Sequence, residues 1–448
     1  MLARIPPDIH AISEGLGKAG WRSWIVGGCT RDLLLGRPVH DWDVATDARP
    51  EDVVKLFRRV IPTGIKHGTV TVMRGSTGYE VTTLRGEGAY SDGRHPDAVT
   101  FVDDLKEDLA RRDFTVNAIA LDPKSGELSD PFDGEGDLRA RVLRAVGEPE
   151  RRFSEDGLRL MRAARFCATL GFEIEPGTLA AMASSVQTLA KVSDERVRDE
   201  LLKTFLAPKP SRGLEAMRRT GILEVVLPEL VAMVGCEQNK WHAYDVWTHT
   251  VQVVDACPAD PVLRMAALLH DVGKPSVRAM SDKTNDYTFY GHEVVGGRMA
   301  DKICQRLRLS NEQRDRVVLL VRQHLVVYDD DWTDAAVRRW ITRIGAEAVE
   351  PVLAIARADA LGKGVDAAEQ LAILGRLQAR VEALAAQGMA LSVRDLALDG
   401  NDLMREFGLP PGRRIGDTLK QLLEAVIEEP EANTRERLLE LARGFLGN

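Results

Sequence analysis

The sequence predicts a multidomain protein in which a small α/β domain at the N-terminus is followed by an all-α remainder. The chain has 448 residues, which is about three times the usual length of a domain. Residues 1–140 alternate short β-rich runs with helical runs, whereas no convincing strand is predicted from about residue 141 onward. A hydrophobic content of 44% and a charged content of 29% are typical of an ordinary globular protein.

The elements of the α/β domain are short, and turn-forming residues separate them. Strands are predicted at 22–27, 40–46, 68–74, 78–85 and 117–122, and helices at 8–19 and 50–58. The segment GEGAYSDGRHPDAV, residues 86–99, holds three glycines and a proline and is predicted to be a mobile loop. Later in the chain, helices are predicted at 153–170, with Ser154 as N-cap, and at 193–206.

Charge, cysteine content and hydropathy narrow the class of protein. The net charge of −8 argues against an extended footprint on duplex nucleic acid, although it allows a local basic patch. Five scattered cysteines without a CxxC pair indicate neither a disulfide framework nor a cysteine zinc site. No apolar run approaches the length of a membrane span, and the N-terminus lacks the apolar core of a signal peptide. We therefore expect a cytoplasmic protein without a membrane partner, and its oligomeric state stays open.

Residues 24–46, WIVGGCTRDLLLGRPVHDWDVAT, combine a double glycine with two alternate aspartates. Because residues two apart in a strand point to the same side, Asp41 and Asp43 would direct two carboxylates at one spot. That arrangement is costly unless a cation lies there. We interpret the pair as the catalytic carboxylates that hold two Mg²⁺ ions for nucleotidyl transfer.

The flanking residues fit the same interpretation. Gly27 and Gly28 would let backbone N–H groups approach a triphosphate, Arg31 would add positive charge, and Glu80 is a candidate third catalytic carboxylate. An isolated DxD motif more often marks a solvent-facing strand edge. The complete string, in which GG is followed by RD, LG and DxD, is similar to the signature of the nucleotidyltransferase superfamily.

The segment RRDFTVNAIALD, residues 111–122, places polar side chains among apolar ones, where they need partners. Arg111 and Arg112 are candidates to hold phosphate. Asp113 is a candidate to accept a hydrogen bond from a ribose hydroxyl, which would select ribonucleotides, and Asn117 is a further nucleotide-binding candidate. The alternative interpretation is a strand with ordinary salt-bridged arginines.

The segment SEDGLRLMRAARF contains a candidate pair for base recognition, Asp156 and Arg159, one helical turn apart, with Arg162 as a further nucleotide-binding candidate. An aspartate accepts from an exocyclic amine, and an arginine donates to a ring nitrogen or carbonyl. Cytosine and adenine both present an amine next to a ring acceptor, and guanine and uracil do not offer these groups in that order. The pair is therefore predicted to accept CTP and ATP, and the alternative is a surface salt bridge of little energetic value.

The order GG-RD-LG-DxD, RRDF-x-x-NA, EDxxR and ERVRDEL resembles the class II tRNA nucleotidyltransferases, the CCA-adding enzymes, whose family includes bacterial poly(A) polymerases. The resemblance covers about residues 20–230. It implies a nucleotidyltransferase-fold head with a small mixed sheet over 1–140 and a helical neck and body over 141–235. It also implies that the tRNA 3′ end is the partner, that Asp156 and Arg159 act as an amino-acid template, and that 86–99 is needed for switching from C to A.

Within the same resemblance, the segment SDERVRDELLK corresponds to a helix that supports the neck. Glu195 and Arg196 are assigned a structural function there.

A second candidate site lies in a helical block that holds five of the nine histidines. The adjacent pair His270-Asp271 at a helix end, with distant His and Asp residues, is a metal-ligand constellation. Its order resembles the HD phosphohydrolase domain, placed here at 236–390 and followed by a helical tail at 391–448. The resemblance implies ligands at His249, His270, Asp271 and Asp359, further ligands at His292 and His324, and a phosphate contact at Lys274.

The ligand types do not choose the metal, because imidazole and carboxylate suit Mn, Ni, Fe, Co and Zn alike. The expected activity is CCA addition from CTP and ATP, joined by hydrolysis of 2′,3′-cyclic phosphate or 3′-phosphate ends of tRNA. Alternatives are a CC-only or A-only enzyme, a poly(A) polymerase, and an HD hydrolase whose head only binds nucleotide. A degenerate histidine block without chemistry is a further alternative.

Overall fold

The computed structural model describes residues 2–86, 100–386 and 392–447. The chain divides into two compact units, Met1–Val231 (the first unit) and Ala232–Asn448 (the second unit). All but residue 86 of the predicted loop 86–99 lies outside the described residues. Among the described helices, none combines the length and apolar character that a membrane span requires.

The first unit begins with a mixed sheet whose spatial order is β3-β4-β5-β2-β1-β6-β7. β2 and β5 run parallel, and the other neighbours in this sheet are antiparallel. The predicted fold, an α/β head with a small mixed sheet and helical remainder, is confirmed. The strands are β1 (Ser23–Val26), β2 (Asp43–Thr46), β3 (Val60–Gly64), β4 (Thr69–Arg74), β5 (Thr77–Thr83), β6 (Ala120–Leu121) and β7 (Leu128–Ser129).

Successive side chains of the central strands point to opposite sides of the sheet, and both sides are buried. Ile25 and Val44 pack in one apolar cluster, whereas their neighbours Val26 and Ala45 pack in another. This is the period of two expected for a strand with both faces covered. The first helix covers one face with Ile9, Ile12 and Leu16, all fully buried. The amino-terminal end of β2, where Asp43 lies, is thereby anchored next to packed apolar residues on both faces of the sheet.

Helices make up most of the remaining first unit. A short parallel pair of strands, β8 (Val142–Leu143) and β9 (Glu173–Ile174), lies among them in the chain order. The helices are α1 (Pro7–Lys18), α2 (Gly28–Leu34), α3 (Pro50–Leu56), α4 (Leu105–Ala110), α5 (Gly134–Ala140), α6 (Pro149–Glu155), α7 (Leu158–Leu170), α8 (Pro176–Ser184), α9 (Asp194–Thr204), α10 (Pro210–Arg219) and α11 (Ile222–Val226). Short 3₁₀ helices occupy Leu2–Arg4, Ile65–His67, Thr115–Asn117, Val186–Lys191 and Pro228–Met233.

In the described part of the second unit, the regular elements are helices and one hairpin of β10 (Ala279–Ser281) and β11 (Asp286–Thr288). Its helices are α12 (Val246–Ala256), α13 (Pro261–Leu269), α14 (Lys274–Val277), α15 (His292–Arg306), α16 (Asn311–Gln323), α17 (Asp334–Ile344), α18 (Val349–Gly362), α19 (Ala368–Ala386), α20 (Gly400–Phe407), α21 (Arg413–Glu428) and α22 (Arg435–Leu446). Short 3₁₀ helices lie at Ala346–Ala348, Val393–Asp395 and Pro430–Ala432.

Several local predictions were wrong. The strands β8 to β11 contradict the expected absence of strands after residue 141, because pairs of two or three residues carry no recognisable alternation. The edge strand β3 was missed because it contains Pro62, which an edge tolerates. The strand predicted at 117–122 is limited to β6, since Asn117 ends a 3₁₀ helix.

The helix predicted over 153–170 is two helices, α6 and α7, broken at Asp156 and Gly157. Asp156 has extended backbone angles, and its carboxylate accepts a hydrogen bond of 3.0 Å from the backbone N–H of Leu158. Gly157 lies against another backbone segment, so that a Cβ at this position would lie 2.6 Å from the carbonyl oxygen of Thr188. The predicted cap Ser154 lies inside α6, and the break frees Asp156 from the helix.

Gly157→Ala is expected to destabilise the first unit by roughly 1–3 kcal/mol, because backbone atoms must move to admit the new methyl group. Gly17→Ala is the matched control, since Gly17 lies in α1 and a methyl group added there would meet no described atom within 4 Å. The control should be neutral or stabilise by up to about 1 kcal/mol. Urea unfolding followed by circular dichroism measures both changes. Equal unfolding midpoints for the two variants would contradict the proposed close approach.

Candidate nucleotide pocket and metal centre

A cavity of about 490 Å³ lies in the first unit between the sheet and α7. We call it the arginine pocket, because seven arginines line it. All ten residues predicted to bind nucleotide contribute to its lining, and Asp43 does so as well. The lining consists of Gly27, Gly28, Arg31, Asp43, Arg111, Arg112, Asp113, Asn117, Asp156, Leu158, Arg159, Arg162, Arg165, Phe166 and Arg196.

The three predicted catalytic carboxylates lie close enough to influence one another. Asp43 begins β2 and is paired with Glu80 of β5 in the parallel register. Burial raises the pKa of Asp43, Glu80 and Asp41 raise it further, and Arg112 opposes them. Asp41 and Glu80 are exposed, and Asp41 precedes the strand. Such crowding of like charges favours a bound cation.

The double glycine has one position where a side chain is excluded. Gly27 has a φ of +80°, and a Cβ there would lie 2.9 Å from Nη1 of Arg112. The same Cβ would approach Oδ2 of Asp43 to 3.8 Å. A Cβ on Gly28 would make only an ordinary contact, 3.5 Å from Nη2 of Arg31. Gly27 therefore allows a cationic side chain to lie beside Asp43.

Carboxylates already hold the arginines of the pocket. Arg111 and Arg112 form ion pairs of 2.5 and 3.2 Å with the two oxygens of Asp108, which is 1% exposed. Arg31 pairs with Asp32 at 2.8 Å. The salt bridges expected in the alternative interpretation of the RRDF segment are therefore present in the structure. They do not exclude phosphate binding, because a guanidinium has five N–H donors and each pairing uses only some of them.

Asp113 connects the sheet side of the pocket to α7. Its Oδ1 accepts a hydrogen bond of 3.0 Å from Nδ2 of Asn117, and its Oδ2 lies 2.6 Å from Nη2 of Arg162. Asn117 in turn accepts a hydrogen bond of 2.7 Å from Nη1 of Arg31. Burial opposes ionisation, but Arg162 and Asn117 outweigh it and hold the pKa of Asp113 below its usual value. A ribose hydroxyl would have to share this carboxylate with Arg162.

The predicted base-recognition pair lines the pocket, with each member held by a different partner. Arg159 lies 2.7 Å from Glu155 and also donates to two backbone carbonyls. Asp156 is paired with Arg196 at 2.8 Å. Among the described ion pairs, Asp156 and Arg159 are not joined, so the alternative of a mutual salt bridge is wrong. Both groups are held in position before any ligand is present.

Besides Leu158, three further pocket residues were not predicted to contact nucleotide. Arg165 lies one turn beyond Arg162 on α7, and this spacing could have indicated it. Arg196 was assigned to structural support, and the structure places it in the lining against Asp156. Phe166 resembles any apolar core residue in the sequence, so no sequence signal indicates it.

In the second unit, the six predicted HD ligands converge in what we call the histidine cluster. They form two groups of three buried side chains whose ligand atoms lie within 4.8 Å of one another. Asp271 belongs to one group, and its Oδ2 also faces the other at 3.1 Å from Nε2 of His270. The first group is His249, His270 and Asp359, and the second is Asp271, His292 and His324.

Helix ends position most of these ligands. His270 directly follows α13, His292 begins α15 and His324 directly follows α16. Gly273 lies so close to α15 that a Cβ there would clash with the carbonyl oxygen of His292. This close approach brings Asp271 to 3.3 Å from Nε2 of His292.

Hydrogen bonds outside the cluster orient the imidazoles. Nδ1 of His270, His292 and His324 each lies 2.7 Å from a backbone carbonyl oxygen, which directs Nε2 into the cluster. There the Nε2 atoms of His249 and His270 are 3.2 Å apart. Within the described residues, neither oxygen of Asp271 accepts a hydrogen bond of acceptable geometry. Facing ring nitrogens around a buried carboxylate that is held by ion pairs alone fit a divalent cation.

The pKa shifts of two cluster histidines are also consistent with a bound cation. Burial lowers the pKa of His270, but Asp271 and Asp359 outweigh it and raise the pKa to about 9. Burial and the neighbouring His270 lower the pKa of His324 to about 3. The carboxylates thus attract positive charge to the cluster, and a metal ion can replace the proton.

The predicted phosphate contact, Lys274, lines a cavity of about 460 Å³ beside the cluster, and its Nζ lies 2.6 Å from Oδ2 of Asp271. Sequence analysis missed two other basic side chains of this cavity. Lys363 pairs with Asp359 at 3.3 Å, and His242 packs edge-on against His249 with ring centroids 5.1 Å apart.

Family models match three parts of the chain. The Poly A polymerase head domain matches residues 23–144, and the probable RNA and SrmB-binding site of polymerase A matches residues 171–233. A putative domain 2 of tRNA nucleotidyltransferase matches residues 294–442. The first two cover the lining of the arginine pocket except for Asp156 and the residues on α7, because residues 145–170 lie between the two matches.

Whole-length relatives agree with these matches. The CCA-adding enzyme of Limosilactobacillus fermentum is 35% identical over 438 residues, 97% of this chain and 96% of that protein. The crystal structure of the Bacillus stearothermophilus CCA-adding enzyme in complex with CTP has 30% identity and a TM-score of 0.73, over 99% of this chain and 100% of that one. The Thermotoga maritima enzyme complexed with tRNA shares the fold, at 18% identity and a TM-score of 0.56, over 98% and 96% of the two chains. The chain belongs to the family of CCA-adding enzymes, the class II tRNA nucleotidyltransferases.

Proposed function

We propose that the protein adds CMP and AMP from CTP and ATP to the 3′ hydroxyl of tRNA and so completes or repairs the CCA end. The observation that carries this proposal is the position of Asp43 at the wall of a pocket that also contains Asp156 and Arg159. Metal-binding, phosphate-binding and base-recognition chemistry would then meet in a volume that suits one nucleotide. Family membership supports the same reaction.

Asp41, Asp43 and Glu80 would hold the two Mg²⁺ ions. Bound Mg²⁺ supplies charge neutralisation at the triphosphate and favours ionisation of the attacking hydroxyl. The chain's own cations would position the triphosphate, with Arg112 beside Asp43 and Arg162 as the most exposed of the pocket arginines. Attack of the 3′ hydroxyl oxygen on the α-phosphorus forms the new phosphodiester bond, and pyrophosphate leaves.

Base selection is proposed to rest on Asp156 and Arg159. Asp156 would accept from the exocyclic amine of cytosine or adenine, and Arg159 would donate to the adjacent ring acceptor. Arg196 and Glu155 hold these two side chains in place, so that binding of the base would cost little conformational entropy at these positions. Guanine and uracil would leave the held groups without a partner, which is costly in a buried site.

We also propose that the histidine cluster is a metal-dependent phosphohydrolase site for 2′,3′-cyclic phosphate or 3′-phosphate ends of tRNA. The observation that favours it is Asp271, whose two oxygens face different groups of histidines. Mn, Ni, Co, Fe or Zn bound there would lower the pKa of a coordinated water. Lys274 would contact the phosphate. Attack of water on phosphorus with cleavage of the P–O3′ bond, in the cyclic phosphate or in the 3′-phosphate ester, would leave a free 3′ hydroxyl, which is the group that nucleotide addition requires.

Transcripts of tRNA lacking CCA, CA or A, each incubated with one labelled nucleotide at a time, test the first proposal. We expect C on the first two transcripts and A on the third, with no incorporation of G or U. Addition of A alone to the third transcript, without C on the others, would instead establish an A-only enzyme. Long A tracts on any RNA would indicate a poly(A) polymerase.

Two sets of variants test whether the two sites act separately. Asp41→Ala combined with Asp43→Ala should abolish nucleotide incorporation and leave hydrolysis of 2′,3′-cyclic AMP unchanged, because the histidine cluster is intact. His270→Ala should abolish hydrolysis, remove the bound transition metal measured by mass spectrometry, and leave incorporation unchanged. Loss of both activities in either variant would contradict the proposal of two separate sites.

Gly27→Ala should lower kcat/KM for both nucleotides by roughly ten-fold or more, since its left-handed φ alone costs about 1–2 kcal/mol for alanine. The new methyl group would also displace Arg112 from Asp43. Gly28→Ala is the control, because its methyl group fits at contact distance. Steady-state kinetics with CTP and ATP measure the effect, and losses of similar size in both variants would count against the assigned importance of Gly27.

A further inference from the structure

The ring of Phe166 is a common contact for three guanidinium groups of the arginine pocket. The Cζ atoms of Arg165, Arg31 and Arg162 lie 4.0, 5.1 and 5.3 Å from the ring centroid. All three distances are within the range of a cation–π interaction. Arg162 and Arg165 belong to α7, whereas Arg31 comes from α2 beside the sheet. The ring therefore gathers cations from two parts of the first unit.

Packing fixes the ring in place. Phe166 is 5% exposed, and its ring meets that of Phe114 edge-on, with centroids 5.7 Å apart and planes at 85°. Phe114 is itself fully buried. The ring can turn little without opening the core, so it is a rigid surface for the cations that stack on it.

The three arginines pose an electrostatic problem that the ring helps to solve. Like charges so close together repel one another. Each guanidinium already forms an ion pair with one carboxylate: Arg31 with Asp32, Arg162 with Asp113 and Arg165 with Glu200. Another carboxylate between them would cancel positive charge that an anionic ligand needs. The π face attracts cations but carries no net charge, so it leaves the field of the pocket positive.

We propose that Phe166 is a positioning residue for the triphosphate, acting through Arg31, Arg162 and Arg165. This inference rests on the proposed nucleotidyl transfer in the same pocket. Because the ring acts on phosphate-binding cations and contacts neither Asp156 nor Arg159 in the described interactions, it serves CTP and ATP equally. It also serves the pyrophosphate product, which carries the same anionic groups.

Phe166→Leu tests the proposal, since leucine retains an apolar side chain against Phe114 but has no π face. The expected result is a rise of roughly ten-fold in KM for both nucleotides, from losing several cation–π contacts. The inhibition constant of pyrophosphate should rise by a similar factor. The ratio of the KM values for CTP and ATP should stay as in the wild type. The value of kcat should stay within about three-fold of the wild-type value, because bound substrate still reacts at the same carboxylates.

Two further variants separate positioning from general stability. Phe172→Leu makes the same substitution at a buried residue outside the pocket lining, and it should lower the unfolding temperature without raising KM. Phe166→Tyr keeps the aromatic face and should retain KM within about three-fold. Unchanged KM in Phe166→Leu, a change for one nucleotide only, or an equal rise in Phe172→Leu would overturn the inference. Absence of C and A incorporation by the wild type would instead overturn the proposed function itself.

Discussion

The hydrogen-bonded series from Arg31 through Asn117 and Asp113 to Arg162 is the interaction on which the arginine pocket depends. It joins the element after β1 to the helix that carries Arg159, through contacts of 2.6 to 3.0 Å. A buried carboxylate offsets its desolvation cost only when partners surround it, and Asp113 has three. The same series connects the side of the pocket that holds the proposed metal-binding carboxylate Asp43 to the helix that carries Arg159, proposed for base recognition.

Sequence reasoning located this pocket because its residues lie in short motifs whose spacing is local. The double glycine, the RRDF segment and the EDxxR segment each carry several pocket residues within one turn or strand. What it missed depends on partners distant in the sequence. The break at Gly157 is set by the backbone of Thr188, and the placement of Arg196 in the pocket lining by Asp156 at 2.8 Å. A single sequence holds no signal for such contacts. Two-residue strands such as β8 are also too short to show an alternation of apolar and polar residues.

The two candidate sites solve charge balance in opposite ways. In the arginine pocket, buried carboxylates hold an excess of side-chain cations, and the result suits an anionic ligand. In the histidine cluster, the described cations near the ligands are Lys274 and Lys363, and the ring nitrogens face one another. Two lysines match the two carboxylates of the cluster in number, so a further cation would serve the facing ring nitrogens, whose lone pairs repel unless a proton or metal ion lies between them. The lining of the arginine pocket thus suits an anion, and the facing nitrogens of the histidine cluster suit a cation.

The proposed base-recognition groups have a consequence for the order of nucleotide addition. Asp156 is held by Arg196 and Arg159 by Glu155, so in the proposed reaction both would present the same acceptor and donor to every incoming base. Cytosine and adenine would satisfy that pair equally well, because each offers an amine beside a ring acceptor. The pair would exclude guanine and uracil, but it could not by itself place C before A. If the protein adds CCA as proposed, the order must come from a change in the space around the base as the tRNA end grows. A larger purine would then fit only after that space has widened, while the hydrogen-bonding partners stay the same.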